Sequence, residues 1–213
     1  MFPPIFPIYI PALSVLSPYG SLIWFVGVLF LWMTRYTHQL GARWGRLYYG
    51  LSMFFRPLGV LLIALGWLAL YAPSEDFGGY QVGLLPRRNV IDVLIWLAIL
   101  LFFALGIWSV IVLGLRRTFL YRHVDDSLIT SGPYALVRHP QFLAAIGIIF
   151  FGIQLFNPGD FFLPFYYGSL GANWALFSLS LWLLTILEEK ELYTHFGEEY
   201  REYIRRVPRM IPN

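Results

Sequence analysis

The sequence contains no cysteine and few charges, and both shortages exclude classes of protein. Without cysteine there is no disulfide framework, no thiolate metal site, no iron–sulfur cluster and no cysteine nucleophile. Charged residues are 13% of the 213, about half the share in an average soluble domain. None precedes Arg35, and none falls within residues 161–187. Neither GxGxxG nor GxxxxGK[ST] occurs, which removes the Rossmann and P-loop nucleotide sites. No serine sits in a nucleophile elbow. The histidines at 38, 123, 139 and 195 show no HxxxH or HxH spacing. His123 with Asp125 and Asp126 is a conceivable metal cluster, but a plain polar loop explains those residues as well. Neither a metal nor a nucleic acid is expected.

Apolar residues supply 58% of the chain and mean hydropathy is +0.64, which points to a membrane. Eight Trp and fourteen Tyr suit aromatic belts at the bilayer interfaces. A span needs about 20 apolar residues. Five candidates follow: 19–33, 57–71, 93–115, 140–156 and 170–187. The expected fold is an all-α polytopic membrane protein with about five transmembrane helices, forming a single domain over residues 1–213. The opening MFPPIFPIYIP lacks the basic region of a signal peptide, and residues 1–18 are expected to form an irregular lead-in to the first span.

Basic residues set the orientation. Five spans place the termini on opposite sides. With the N-terminus outside, three inner segments hold 13 of the 15 Lys and Arg residues. These are Arg35, Arg43, Arg46 and Arg56; Arg116, Arg117, Arg122 and Arg138; and Lys190, Arg201, Arg205, Arg206 and Arg209. Only Arg87 and Arg88 remain outside, in the Gly- and Pro-rich loop 72–89. The positive-inside rule prefers this arrangement. It brings the loop before the fourth span and the tail after the fifth to one cytoplasmic face.

That loop, 128–142, reads LITSGPYALVRHPQF. Thr130-Ser131-Gly132-Pro133-Tyr134 is a turn signal, with Gly132 freeing the backbone and Pro133 fixing φ. Pro140 suits the first position of a helix. Arg138 and His139 then stand at its positive end, where an anionic group is favoured. Ordinary contact with lipid phosphates would explain the same pair. Glu188 and Glu189 follow the long uncharged run and would oppose the helix dipole if the helix stopped there, so the helix is expected to continue. Leu192, Phe196, Tyr200 and Tyr203 recur at helical spacing, with Gly197 as a break. A solvated face with pairs such as Glu198–Arg201 is the plain alternative. Charged groups at the edge of a membrane domain are functional candidates by default.

The strings L-I-T-S-G-P-Y-x-x-x-R-H-P-x-F, Asn157-Pro158, E-E-x-x-L, F-G-x-x-Y-x-x-Y and R-V-P-R-x-I-P follow one another over residues 113–213. In order and spacing they resemble the isoprenylcysteine carboxyl methyltransferase family, grouped with the membrane phospholipid methyltransferases. Residues 1–112 resemble the family only in being membrane spans. The resemblance implies S-adenosylmethionine as cofactor, held without a Rossmann domain between the last spans and covered by the loop and the tail. By position, the cofactor contacts would be Ser127, Leu128, Ile129, Tyr134, His139, Pro140, Gln141, Phe142 and Glu188. Arg138 would face the methyl acceptor, with Glu189 as a base or orienter for an amine. The sequence departs from the family at Phe142, usually a tyrosine, and at Leu184, where eukaryotic members carry an arginine. The acceptor would be a lipidated carboxylate, a phospholipid amine or a small hydrophobic thiol or acid entering from the bilayer. A nicotinamide-dependent reductase of sterol-reductase type is the rival enzyme class; those proteins have about twice as many spans. A non-catalytic membrane scaffold is a further alternative.

Overall fold

The computed structural model describes residues 16, 19–44, 46–71, 89–114, 127–156 and 169–211. The lead-in 1–15, the loop 72–88, the cluster His123, Asp125 and Asp126, and the Asn157-Pro158 pair lie outside them. Six α-helices are described: α1 (Gly20–Trp44), α2 (Arg46–Tyr71), α3 (Asn89–Leu113), α4 (Pro140–Phe156), α5 (Ser169–Phe196) and α6 (Glu198–Arg206). One 3₁₀ turn, Gly132–Ala135, precedes α4, and no strand occurs among the described residues.

Glycine lets α1 and α2 pack backbone to backbone. A Cβ on Gly27 would stand 2.6 Å from the Gly59 carbonyl oxygen and 2.8 Å from the Ile63 nitrogen. Two turns away Gly20 meets Gly66 in the same manner. Such small-residue contacts replace the hydrophobic drive that helices lack in lipid. Gly27→Ala is expected to force the helices apart and cost about 1–3 kcal/mol, read as a lower unfolding midpoint in detergent.

The main core joins four helices: Trp24 and Val28 of α1, Trp67 of α2, Ile153 of α4, and Phe177, Leu181 and Leu184 of α5. Trp24 stacks on Trp67, and both meet Phe177 edge-on at 5.7 Å. The Trp24 indole N–H donates to Asn173 Oδ1 at 2.8 Å, satisfying both polar groups inside the core. On the other side of α4 lies α3, where Gly147 leaves space for the Phe102 ring and Phe102 stacks on Phe151.

Two helical stretches, Val93–Leu113 and Leu170–Phe196, are long and apolar enough to cross a membrane. Gly20–Thr34, Phe54–Leu70 and Pro140–Gln154 are shorter apolar stretches. By length and composition the described residues therefore meet the test for two spans, not five. The outward side chains are nonetheless apolar: Val90, Leu101 and Ile111 are each about 70% exposed. Large exposed apolar surface of this kind marks contact with a membrane or a partner.

Helix limits differ from the apolar runs in an instructive way. The second apolar run begins at Pro57, but α2 begins at Arg46 and carries Pro57 inside it. Proline removes one helical hydrogen bond, and the close contact with α1 holds the helix on both sides of it. Arg56 beside it is buried, its Nε donating to Thr34 Oγ1 at 3.3 Å. Likewise α1 runs on to Trp44, past the end of its apolar run at Met33. Charge ends an apolar run without ending a helix. The third helix starts four residues early and stops at Leu113, where Gly114 takes φ 81°. The fourth spans residues 140–156 as expected.

Candidate functional site

Two chain reversals bring the loop and the tail together. Gly132 adopts φ 60°, a left-handed conformation that favours glycine. Pro133 follows, and the turn closes with the Leu136 and Val137 N–H groups donating to the Pro133 carbonyl at 3.1 and 3.2 Å. Arg138 and His139 follow, and Pro140 opens α4. His139 is the N-cap residue: its carbonyl accepts the first helical bond, from the Leu143 N–H at 3.1 Å. At the other end of the chain, α5 continues unbroken through Glu188 and Glu189 to Phe196. Gly197, at φ 56°, separates it from α6.

Helix α6 buries Tyr200 and Tyr203, which pack with Val207, Leu128, Leu192 and Phe196. The Tyr203 hydroxyl donates to the Tyr134 carbonyl at 2.7 Å. Burial, as the largest influence, pushes the Tyr203 phenol above its ordinary range, so it remains a donor. The outward face of α6 carries the Glu198–Arg201 pair, 2.8 Å long and exposed, which contributes little.

The tail then folds back on the start of α4. The Arg138 N–H donates to the Pro208 carbonyl at 2.9 Å, and the His139 N–H to the Arg209 carbonyl at 3.1 Å. These two backbone donors therefore serve the tail. The Arg209 side chain continues inward. Its Nε lies 2.9 Å from Glu189 Oε1 and its Nη2 2.6 Å from Oε2, a bidentate fork. The Glu189 carboxylate in turn holds the Arg209 guanidinium above its ordinary range. The guanidinium also stands 4.9 Å over the Trp182 ring.

Glu189 is the hub of the cluster. Its Oε1 also takes Arg138 Nη1 at 2.9 Å and His139 Nε2 at 3.1 Å. The other His139 ring nitrogen, Nδ1, faces Glu188 Oε2 at 3.1 Å. An imidazole with carboxylates at both nitrogens can donate to both only when it carries two protons. The ring is 6% exposed and stacks on Phe142 at 5.8 Å. The Tyr200 hydroxyl, also buried, lies beside the Arg138 guanidinium without a hydrogen bond of ordinary length.

Of the residues singled out in the sequence, the structure gathers Arg138, His139, Glu188 and Glu189 into direct contact. Phe142 adjoins them through His139. Tyr134 and Pro140 are buried, and the Gln141 side chain lies beside the Tyr134 phenol. Leu128 packs on the tail tyrosines. Ser127 is exposed and Ile129 half-buried. Arg209, Trp182 and Tyr200 join the cluster without having been singled out for it. The available signal was an arginine between two prolines, Pro208 and Pro212, in the string R-V-P-R-x-I-P. Its pairing with a residue 20 positions back, across a turn, has no local signature. Among the described residues no group of three His, Asp or Glu side chains could hold a metal ion.

No protein-family model matches the sequence. No solved structure matches it either. Among curated proteins it is similar to the protein-S-isoprenylcysteine O-methyltransferase of Schizosaccharomyces pombe, with 35% identity over 95 residues. The match covers 43% of this chain and 35% of the relative, so it spans about a third of that protein's length.

Proposed function

We propose that the chain is an integral membrane methyltransferase that uses S-adenosylmethionine and resembles the isoprenylcysteine carboxyl methyltransferases. The observation that carries the proposal is the cluster itself. Glu188 and Glu189, where the apolar run of α5 ends, both engage His139 at the start of α4. Of these, Glu188 and His139 are residues to which the family resemblance assigns the cofactor. Similarity to a methyltransferase over part of the chain supports the same reading.

The side chains suit this ligand. Its ammonium and ribose hydroxyls match the Glu188 carboxylate, and its carboxylate or adenine edge matches the α4 N-terminus with His139. Phe142 and Tyr134 are aromatic groups suited to adenine or the sulfonium. The Tyr200 hydroxyl beside Arg138 is a further buried donor without a short protein partner. Ser127, Leu128, Ile129, Pro140 and Gln141 complete the proposed binding segment.

When bound, S-adenosylmethionine supplies a methyl group already activated by its sulfonium. The protein has to align the acceptor with that methyl and exclude water. Orientation of this kind can supply about 7–11 kcal/mol of the barrier. Arg138 is assigned to the anionic group of the acceptor. Glu189, with both oxygens engaged by cationic side chains, is a poor proton acceptor and acts as an orienter. The acceptor enters laterally as a hydrophobic molecule with a carboxylate or an amine. Five spans, an outside N-terminus and a cytoplasmic site belong to the same proposal, which rests there on the distribution of basic residues.

The test is calorimetric titration of detergent-purified protein with S-adenosylhomocysteine, with NADPH in parallel. Micromolar binding of the first ligand is expected. Binding of NADPH alone would move the chain to the reductases, and binding of neither by folded protein would favour a scaffold.

A further inference from the structure

Arg209 has no place in the cofactor segment that the family resemblance marks, yet it makes the shortest polar contact in the cluster. Three links hold residues 207–210 over the start of α4. One is the fork from Arg209 to Glu189. Another is the pair of backbone bonds from Arg138 and His139 to the Pro208 and Arg209 carbonyls. The third is the guanidinium over Trp182. Val207 and Met210 are buried on either side of these links. The tail is therefore a strap across the site, and two of its three links run through the Arg209 side chain.

The fastening also sets geometry. A carboxylate touched only by Arg138 and His139 could rotate between them. The fork fixes its plane, because two parallel N–H···O bonds allow a single orientation. With Glu189 fixed, Arg138 Nη1 and His139 Nε2 are each held to Oε1. Glu188 then meets the opposite edge of the same imidazole. The side chains assigned to acceptor and cofactor thus take their positions from a residue that need touch neither ligand.

We infer that Arg209 is a positioning residue and the latch of a C-terminal strap: its fork to Glu189 aligns Arg138 and His139 and controls passage of ligand to the buried site. The part concerning ligand rests on the methyltransferase reading; the part concerning the strap does not. The strap covers the loop and the first turn of α4, so a ligand bound beneath it leaves only when the fork opens. Lysine cannot replace the fork, since it offers one point charge where the guanidinium offers two parallel donors.

The test uses the full chain in detergent, as wild type, Arg209→Ala and Arg209→Lys. Hydrogen exchange is followed at the Arg138 and His139 amides, and the dissociation rate is measured for S-adenosylhomocysteine. Loss of a charged hydrogen-bonded pair is expected to speed exchange at these two amides by about ten- to a hundredfold in Arg209→Ala. Exchange in α1 and α2 should be unchanged. Ligand dissociation should quicken by a similar factor, and Arg209→Lys should fall between. Unchanged exchange at both amides in Arg209→Ala would overturn the latch. So would uniform acceleration along the chain, with Arg209→Lys matching wild type, because that pattern means general stability only. If wild type binds no S-adenosylhomocysteine, the methyltransferase reading fails while the exchange data still decide the strap.

Discussion

Glu189→Ala should be the most damaging single substitution at the site. It removes the counter-charge of Arg138 and Arg209 and the partner of His139 Nε2, whose nearest contacts to it run from 2.6 to 3.1 Å. Removing one partner of a buried ion pair typically costs about 3–5 kcal/mol, because the charges left behind have lost their solvation. The lower part of that range is expected, since the Arg209 side chain is 24% exposed and can turn toward water. For a domain of this size the loss corresponds to a fall of about 10 °C in unfolding midpoint. Thermal unfolding in detergent reads it directly. A midpoint within about 2 °C of wild type would mean that Glu189 does not anchor the cluster. Glu189→Gln keeps the shape and removes the charge, and should lie between.

Glu188→Ala should separate from its neighbour in the opposite sense. Glu188 faces His139 Nδ1 on the far side of the ring from Glu189 and is 18% exposed. Its proposed task is ligand binding. Loss of one charge-assisted bond to the ligand, worth about 1.5–3 kcal/mol, gives a ten- to hundredfold weaker affinity for S-adenosylhomocysteine. The unfolding midpoint should move by only a few degrees. Titration and melting of the two alanine variants together assign the roles: Glu189 mainly stability, Glu188 mainly binding. Equal effects on both quantities would collapse that distinction.

Several parts of this arrangement were legible in the sequence because a local rule fixes them. Pro140 starts α4, as a residue with fixed φ and no N–H should. Gly132-Pro133 makes the turn before it. Two adjacent glutamates at a helix C-terminus would be electrostatically unfavourable, and α5 does continue past them for two turns. Gly197 breaks the helix, and the spacing of Leu192, Phe196, Tyr200 and Tyr203 does mark one packed face. Other parts had no local rule. Pro57 reads as a helix start when taken with its neighbours, and only the packing of α1 against α2 keeps it inside a helix. Hydropathy marks the end of apolar surroundings at Met33, whereas the backbone remains helical to Trp44. The Arg209–Glu189 fork depends on a chain reversal, and no spacing between an arginine and a glutamate announces it.

The same contrast explains why the site is more sharply defined than the number of spans. The cluster is specified by hydrogen bonds of fixed length between named atoms. A span is specified by length and composition alone, and three of the five apolar stretches fall short of what a bilayer asks for among the described residues.

The central claim is that a methyl donor binds where the start of α4, the charged end of α5 and the tail meet. Direct photolabelling with methyl-tritiated S-adenosylmethionine, followed by peptide mapping, tests it most directly. Label should fall within residues 127–142 or 188–211 and be suppressed by excess S-adenosylhomocysteine. Label confined to residues 19–71, or label that the competitor leaves unchanged, would contradict the account.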